Sequence, residues 1–112
     1  MITVVETPEY IKRISRLVPE SYNRDVITYL AANPDSGDLI VGTGGVRKLR
    51  WAKPGSGKSG GIRVIYYLYN ETMPLFLLTA FGKNEQDNLS EAERNELKKL
   101  TLVLRTTYGA KP

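Results

Sequence analysis

The spacing of apolar residues changes period several times along the chain, and each change marks an element. Ile2 to Val5 is a short β-prone run. Thr7-Pro8-Glu9 opens a helix, with Thr7 as its cap and Pro8 in the first turn, where a missing N–H costs nothing. Tyr10, Ile14 and Leu17 fall on one face of that helix. Pro19 interrupts it, and a second helical stripe of Tyr22, Val26, Ile27 and Leu30 runs from Glu20 until Asn33-Pro34 forbids continuation. Two helices in series predict an antiparallel hairpin.

Residues 35–45 are rich in turn formers, with Gly37, Gly42, Gly44 and Gly45 marking loop. The period then drops to two. Val46 to Trp51 alternates, which puts Lys48 and Arg50 on one face and Arg47, Leu49 and Trp51 on the other. After a flexible basic loop from Pro54 to Gly61, Ile62 to Tyr69 and Leu75 to Phe81 read as strands rich in aromatic and branched residues. Asn70 to Pro74 is short enough for a hairpin connection, so the three strands predict an antiparallel meander. On the middle strand Arg63, Ile65, Tyr67 and Tyr69 share a face, and Tyr66 points the other way.

Helical spacing returns at Ser90-Glu91-Ala92-Glu93, a capping box that starts a helix from Glu91 to Arg105. Leu97, Leu100 and Leu104 form its stripe, while Leu102 and Val103 give a second apolar flank for the sheet or a partner. The predicted architecture is one small α+β domain over residues 1–112. It comprises an N-terminal strand, a helical hairpin, an antiparallel β-meander and a C-terminal helix.

Composition narrows the chemistry. A chain of 112 residues has room for one core and for no second catalytic domain. Without Cys there is no disulfide framework or thiolate chemistry, and without His the commonest general base and metal ligand is missing. No metal site and no cofactor are expected. No apolar stretch approaches the roughly 18 residues of a membrane span, and no signal-like segment follows Met1; the expectation is a cytoplasmic protein without membrane association.

The charge is segregated. Of 16 basic residues against 12 acidic, six fall between Leu39 and Asn70 (Arg47, Lys48, Arg50, Lys53, Lys58 and Arg63), where there is no Asp or Glu. The remainder of the chain is therefore net acidic. A concentrated positive field attracts and steers polyanions, although such a run also serves as a solvated edge that keeps strands from aggregating. Within it, residues 52–59 (Ala-Lys-Pro-Gly-Ser-Gly-Lys-Ser) match a relaxed phosphate-binding loop. That loop needs a helix to begin at its Lys-Ser, whereas a strand is predicted from Ile62, so nucleotide hydrolysis is not expected. Gly and Lys at a hairpin tip still suit contact with a sugar-phosphate backbone.

Three segments in order, residues 44–51 (Gly-Gly-Val-Arg-Lys-Leu-Arg-Trp), 61–67 (Gly-Ile-Arg-Val-Ile-Tyr-Tyr) and 81–85 (Phe-Gly-Lys-Asn-Glu), resemble the RelE/HigB family of toxin–antitoxin toxins. The resemblance spans nearly the whole chain and is closest to the HigB-like branch, where a Gly/Lys-rich hairpin loop and a Tyr-Gly-Lys-Asn-Glu-type segment recur. It implies a toxin that enters the ribosomal A site and cuts mRNA, held inactive by a helix-turn-helix, HigA-like antitoxin. The family's basic positions match Lys48, Arg50, Arg63 and Lys83. The C-terminal tyrosine of RelE has no counterpart in residues 84–89, which leaves the acid–base roles unassigned.

Metal-free RNA cleavage uses the substrate's own 2′-OH to attack phosphorus. Arg63 suits the developing phosphorane, because guanidinium matches phosphate geometry and keeps its proton. Lys48 or Arg50 would flank it; Lys48, crowded by cations, is a candidate base. Tyr67, on the Arg63 face, either stacks a base or donates a proton, or else is a core aromatic. Arg47, Lys53 and Lys58 would bind RNA or the ribosome. Glu85 and Asp87 offer positioning at most, and Asp87 more simply favours the last helix N-terminus. A ParE-like gyrase inhibitor and a catalytically silent nucleic-acid-binding protein of this fold are the rivals. The six local cations weigh against the first.

Overall fold

Alternate residues of the central strands are buried on both sides of the sheet, which makes the sheet the middle of three layers. A computed structural model of the protein describes residues 1–52 and 61–109. In it β1 (Val4–Glu6), β2 (Asp38–Leu39), β3 (Val46–Trp51), β4 (Ile62–Tyr67) and β5 (Leu75–Gly82) form one mixed sheet in the order β1-β5-β4-β3-β2. Strands β2 to β5 pair antiparallel, and β1 pairs parallel with β5.

On one face lie α1 (Pro8–Leu17) and α2 (Glu20–Ala32), whose Tyr10, Ile14, Val26 and Leu30 pack on Leu49, Val64, Tyr66, Leu75 and Leu77. Trp51 joins this layer, 5.3 Å from Tyr29 ring to ring. On the other face α3 (Glu91–Leu104) lays Leu97 and Leu104 against Val46, Ile65, Tyr67 and Phe76. A π-helical turn, Arg105–Gly109, continues α3 and brings Tyr108 to 5.3 Å from Phe76.

Both predicted caps form. Thr7 Oγ1 accepts from Tyr10 N at 3.3 Å and also donates to Leu77 O at 2.8 Å, tying the start of α1 to β5. Ser90 and Glu93 make the reciprocal pair of a capping box at 3.1 and 2.8 Å. The hydrogen bond on the Glu93 carboxylate from Ser90 N holds it below its ordinary pKa, against a smaller opposing effect of burial.

The tertiary structure adds what local pattern did not carry. β2 lies in the turn-rich segment, recruited by pairing Asp38 with Lys48 and Leu39 with Arg47. Its turn into β3 needs Gly44, at φ +77°, where a Cβ would meet Thr101 Oγ1 of α3 at 2.7 Å. β4 ends at Tyr67, two residues short of the strand expected from its aromatics; Tyr69 is exposed and stacks on Tyr67 at 6.4 Å. A bulge on β5 opposes Ile65 to Thr79 but Tyr66 to Leu77, so Leu78 is the extra residue. Beyond the bulge the side-chain alternation reverses. Phe81 consequently packs with Phe76 and Leu78 on the α3 side instead of with Leu75 and Leu77.

Candidate functional site

Arg63 is the second residue of β4, paired across the sheet with Arg50 on β3 and with Phe81 on β5. Lys48 stands opposite Ile65. Strand alternation thus puts Lys48, Arg50 and Arg63 on the face that α3 covers, at the end of the sheet that α3 leaves open. Strand β4 follows Gly61 directly, as expected from the sequence, while residues 53–60 of the phosphate-loop match lie outside the described residues.

The connection from β5 to α3, residues 83–89, closes over these cations. Arg63 Nε donates to Oδ1 of Asp87 at 3.2 Å, and its Nη2 lies 3.1 Å from the same oxygen in an ion pair. The Arg63 side chain is 6% exposed and that of Asp87 is 51% exposed. A buried guanidinium demands a counter-charge, because an unpaired one is strongly destabilising. Its only other acceptor among the described residues is Ile62 O, at a long 3.4 Å. Lys48 Nζ donates to Asn88 Oδ1 at 2.7 Å and to Asp87 O at 3.3 Å. Lys48, expected as a candidate base, is therefore a hydrogen-bond donor here.

The loop itself is tied at both ends. Glu85 Oε1 accepts from Gly82 N at 2.8 Å, Gln86 Nε2 reaches Asn88 O and Glu93, and Leu89 is buried with Phe81 in the α3-side core. Asp87 was expected to favour the N-terminus of the last helix. It turns its carboxylate to Arg63 instead, and Ser90 caps the helix. Asp87 and Asn88 are the residues that sequence reasoning undervalued. Their only local signal, polar residues just before a capping box, is the same as that of any helix start.

The other predicted residues divide. Arg50 is exposed, and neither it nor Lys83 has a polar side-chain partner among the described residues. Lys83 follows β5, its backbone N donating to Gly61 O at 3.1 Å beside the start of β4. Arg47 lies on the opposite face, where its Nη1 donates to Gly37 O at 2.8 Å and Asp35 O at 3.1 Å. There it meets Tyr66, whose hydroxyl donates to Pro34 O and accepts from Gly37 N, both at 2.8 Å. Burial pushes the Tyr66 phenol up, with the Gly37 bond and the Arg47 charge partly opposing. Tyr67 is fully buried and its hydroxyl has no hydrogen-bond partner among the described residues. Lys53 and Lys58 lie outside the described residues.

The segment that carries this cationic face, with β2 to β5 and α3, coincides with a family match. Residues 30–111 fit the family model for the RelE toxin of the RelE/RelB toxin–antitoxin system. The chain belongs to the RelE toxin family. Toxins of this family are paired with an antitoxin, and the match leaves only β1, α1 and most of α2 outside it. In this RelE-family toxin the fold brings Arg63, Lys48 and Arg50 together on one face, with the Asp87 carboxylate and the Asn88 amide bonded to two of them. No cluster of three or more His, Cys, Asp or Glu able to hold a metal ion occurs among its described residues. Nor is any helix among them long and apolar enough to cross a membrane.

Proposed function

We propose that this toxin is a ribosome-dependent mRNA endoribonuclease that stops translation. In this reading a HigA-like helix-turn-helix antitoxin restrains it. The observation that carries the reading is the placement of Arg63: a guanidinium held by the sheet, with Arg50 directly across the ladder and Lys48 two pairs further on.

The proposed reaction needs no group that the chain lacks. The 2′-OH preceding the scissile phosphate attacks phosphorus and gives up its proton to solvent, the 5′-oxygen leaves and takes up a proton, and a 2′,3′-cyclic phosphate and a 5′-OH remain. Arg63 faces the two non-bridging oxygens, where negative charge grows, and its fork can hold both at once. Lys48, already a donor to two oxygens, supplies a second positive contact or a proton to the leaving oxygen. Arg50 and Lys83 hold the flanking phosphates, and Lys53 and Lys58 extend the contact along RNA or ribosome. In this reading Tyr67, buried in the α3-side core, stacks no RNA base.

Expression of the chain alone should arrest bacterial growth, with protein synthesis failing first in pulse labelling. Arg63→Ala should abolish mRNA cleavage on translating ribosomes while the fold persists, since loss of one such charge contact raises the barrier by about 3–4 kcal/mol. Arg63→Lys should restore little, because a point charge cannot bridge two oxygens. Undiminished cleavage by Arg63→Ala would remove Arg63 from the site, whereas arrest of DNA synthesis before protein synthesis would sink the nuclease reading and favour gyrase inhibition.

A further inference from the structure

The contact between Arg63 and Asp87 is unusual for a structural ion pair. An arginine and a carboxylate ordinarily meet through two parallel bonds, one to each oxygen. Here Nε donates to Oδ1, Nη2 lies 3.1 Å from that same oxygen, and Arg63 makes no hydrogen bond to Oδ2. The guanidinium edge that would hold two phosphate oxygens is occupied by one carboxylate oxygen. Its two members are also unequal: Arg63 is fixed within the sheet and almost wholly buried, whereas Asp87 stands on a half-exposed loop. When such a pair opens, the loop is the side that moves.

The second tether repeats the arrangement. Lys48 Nζ, on the same face, is held by the Asn88 amide oxygen and the Asp87 carbonyl, which are neighbours of that carboxylate in the chain. Residues 87 and 88 together therefore present three oxygens to two cations. A phosphate group offers oxygens in a similar cluster, with more charge than a carboxylate. The anchor below, Leu89, is buried and stays with the core, so the loop can lift once the bonds from Gly82 N to Glu85 and from Gln86 to Glu93 give way. Arg50, directly across from Arg63 and without a charged partner among the described residues, sharpens the competition, because its charge draws an anion to the same place.

We propose that the Asp87 carboxylate is a placeholder for the substrate phosphate: the loop of residues 83–88 closes the site in the free protein, and a phosphate displaces Asp87 from Arg63. This rests on the proposed function, since the phosphate is that of the RNA to be cut. The device keeps a buried arginine paired in the absence of RNA, and makes binding of a phosphate the event that opens the loop. It also assigns Asp87 a negative contribution to affinity, the opposite of what a purely structural ion pair would have.

Binding of inorganic phosphate to the free protein at constant ionic strength tests this, followed through the Arg63 Nε–H resonance and the backbone amides of residues 83–88. In the wild type, phosphate should shift Arg63 and the loop amides together. Asp87→Asn keeps an acceptor for Arg63 but removes the competing charge, and should bind phosphate roughly 5- to 30-fold more tightly. Asp87→Glu retains the charge and should bind as weakly as wild type. Equal or weaker binding by a folded Asp87→Asn overturns the proposal. If that variant fails to fold, a wild-type titration in which Arg63 shifts while the loop amides stay still, or in which neither moves, overturns it equally. The readout is independent of cleavage: absence of mRNA cleavage by the wild type on translating ribosomes would remove the nuclease reading without altering the phosphate result.

Discussion

Arg50 and Arg63 stand directly opposite each other across β3 and β4, two like charges on one face of an antiparallel pair. Such a pair opposes folding, by about 0.2–1 kcal/mol in typical sheets. Asp87 compensates Arg63 but leaves Arg50 exposed. Arg50→Thr, which keeps β-propensity and removes the repulsion, should raise the denaturation midpoint by a fraction of a kcal/mol. The same variant should bind ribosomes or RNA more weakly and with a shallower salt dependence, by roughly one counterion. Lower stability on this substitution would show that Arg50 has a partner that outweighs the repulsion.

Tyr67 has a buried hydroxyl without a hydrogen bond, and its neighbours are the apolar residues beneath α3. An unsatisfied buried hydroxyl is a cost of about 1–3 kcal/mol. Tyr67→Phe should therefore be neutral or stabilising by urea denaturation, with cleavage unchanged. A collapse of cleavage in a stable Tyr67→Phe protein would return the phenol to the active site as a proton donor.

Arg47 belongs to the same basic run yet serves the other face, where it holds the loop after α2 through Asp35 O and Gly37 O. Arg47→Ala should destabilise by about 1.5–3 kcal/mol, the usual worth of hydrogen bonds from a charged group. Cleavage by the folded fraction should stay near wild type. The contrast with Arg63→Ala, folded but inactive, separates a structural from a functional cation within one segment.

Glu93 closes the capping box of α3, and its carboxyl is held below its ordinary value of 4.5, chiefly by the bond from Ser90 N. Because the folded-state pKa is the lower one, the stabilisation is complete above about pH 4.5 and is lost as pH falls through the depressed value. Denaturation midpoints measured downward from pH 6 should fall less steeply in Glu93→Gln than in wild type. Parallel profiles would mean that this carboxylate contributes nothing to acid sensitivity.

How much of this was legible beforehand follows from the range of each interaction. The capped starts of α1 and α3, the two-sided alternation of β3 and the facing of Tyr66 away from Tyr67 depend on residues within a few positions of one another, and all are present as read. The shared face of Lys48, Arg50 and Arg63 followed from strand period alone once the strands were placed. By itself the sequence determined the α+β class, the concentration of charge and which cations could meet. Only the tertiary structure decided that β1 would pair with β5, that Leu78 would bulge and turn Phe81 to the Arg63 side, and that Asp87 would reach Arg63. Each of these joins residues far apart in the chain, and a period of two or of 3.6 holds no information about which distant group will answer a buried charge. The burial of Arg63 creates the demand for a carboxylate, and only the path of residues 83–89 past the end of β4 determines that Asp87 meets it.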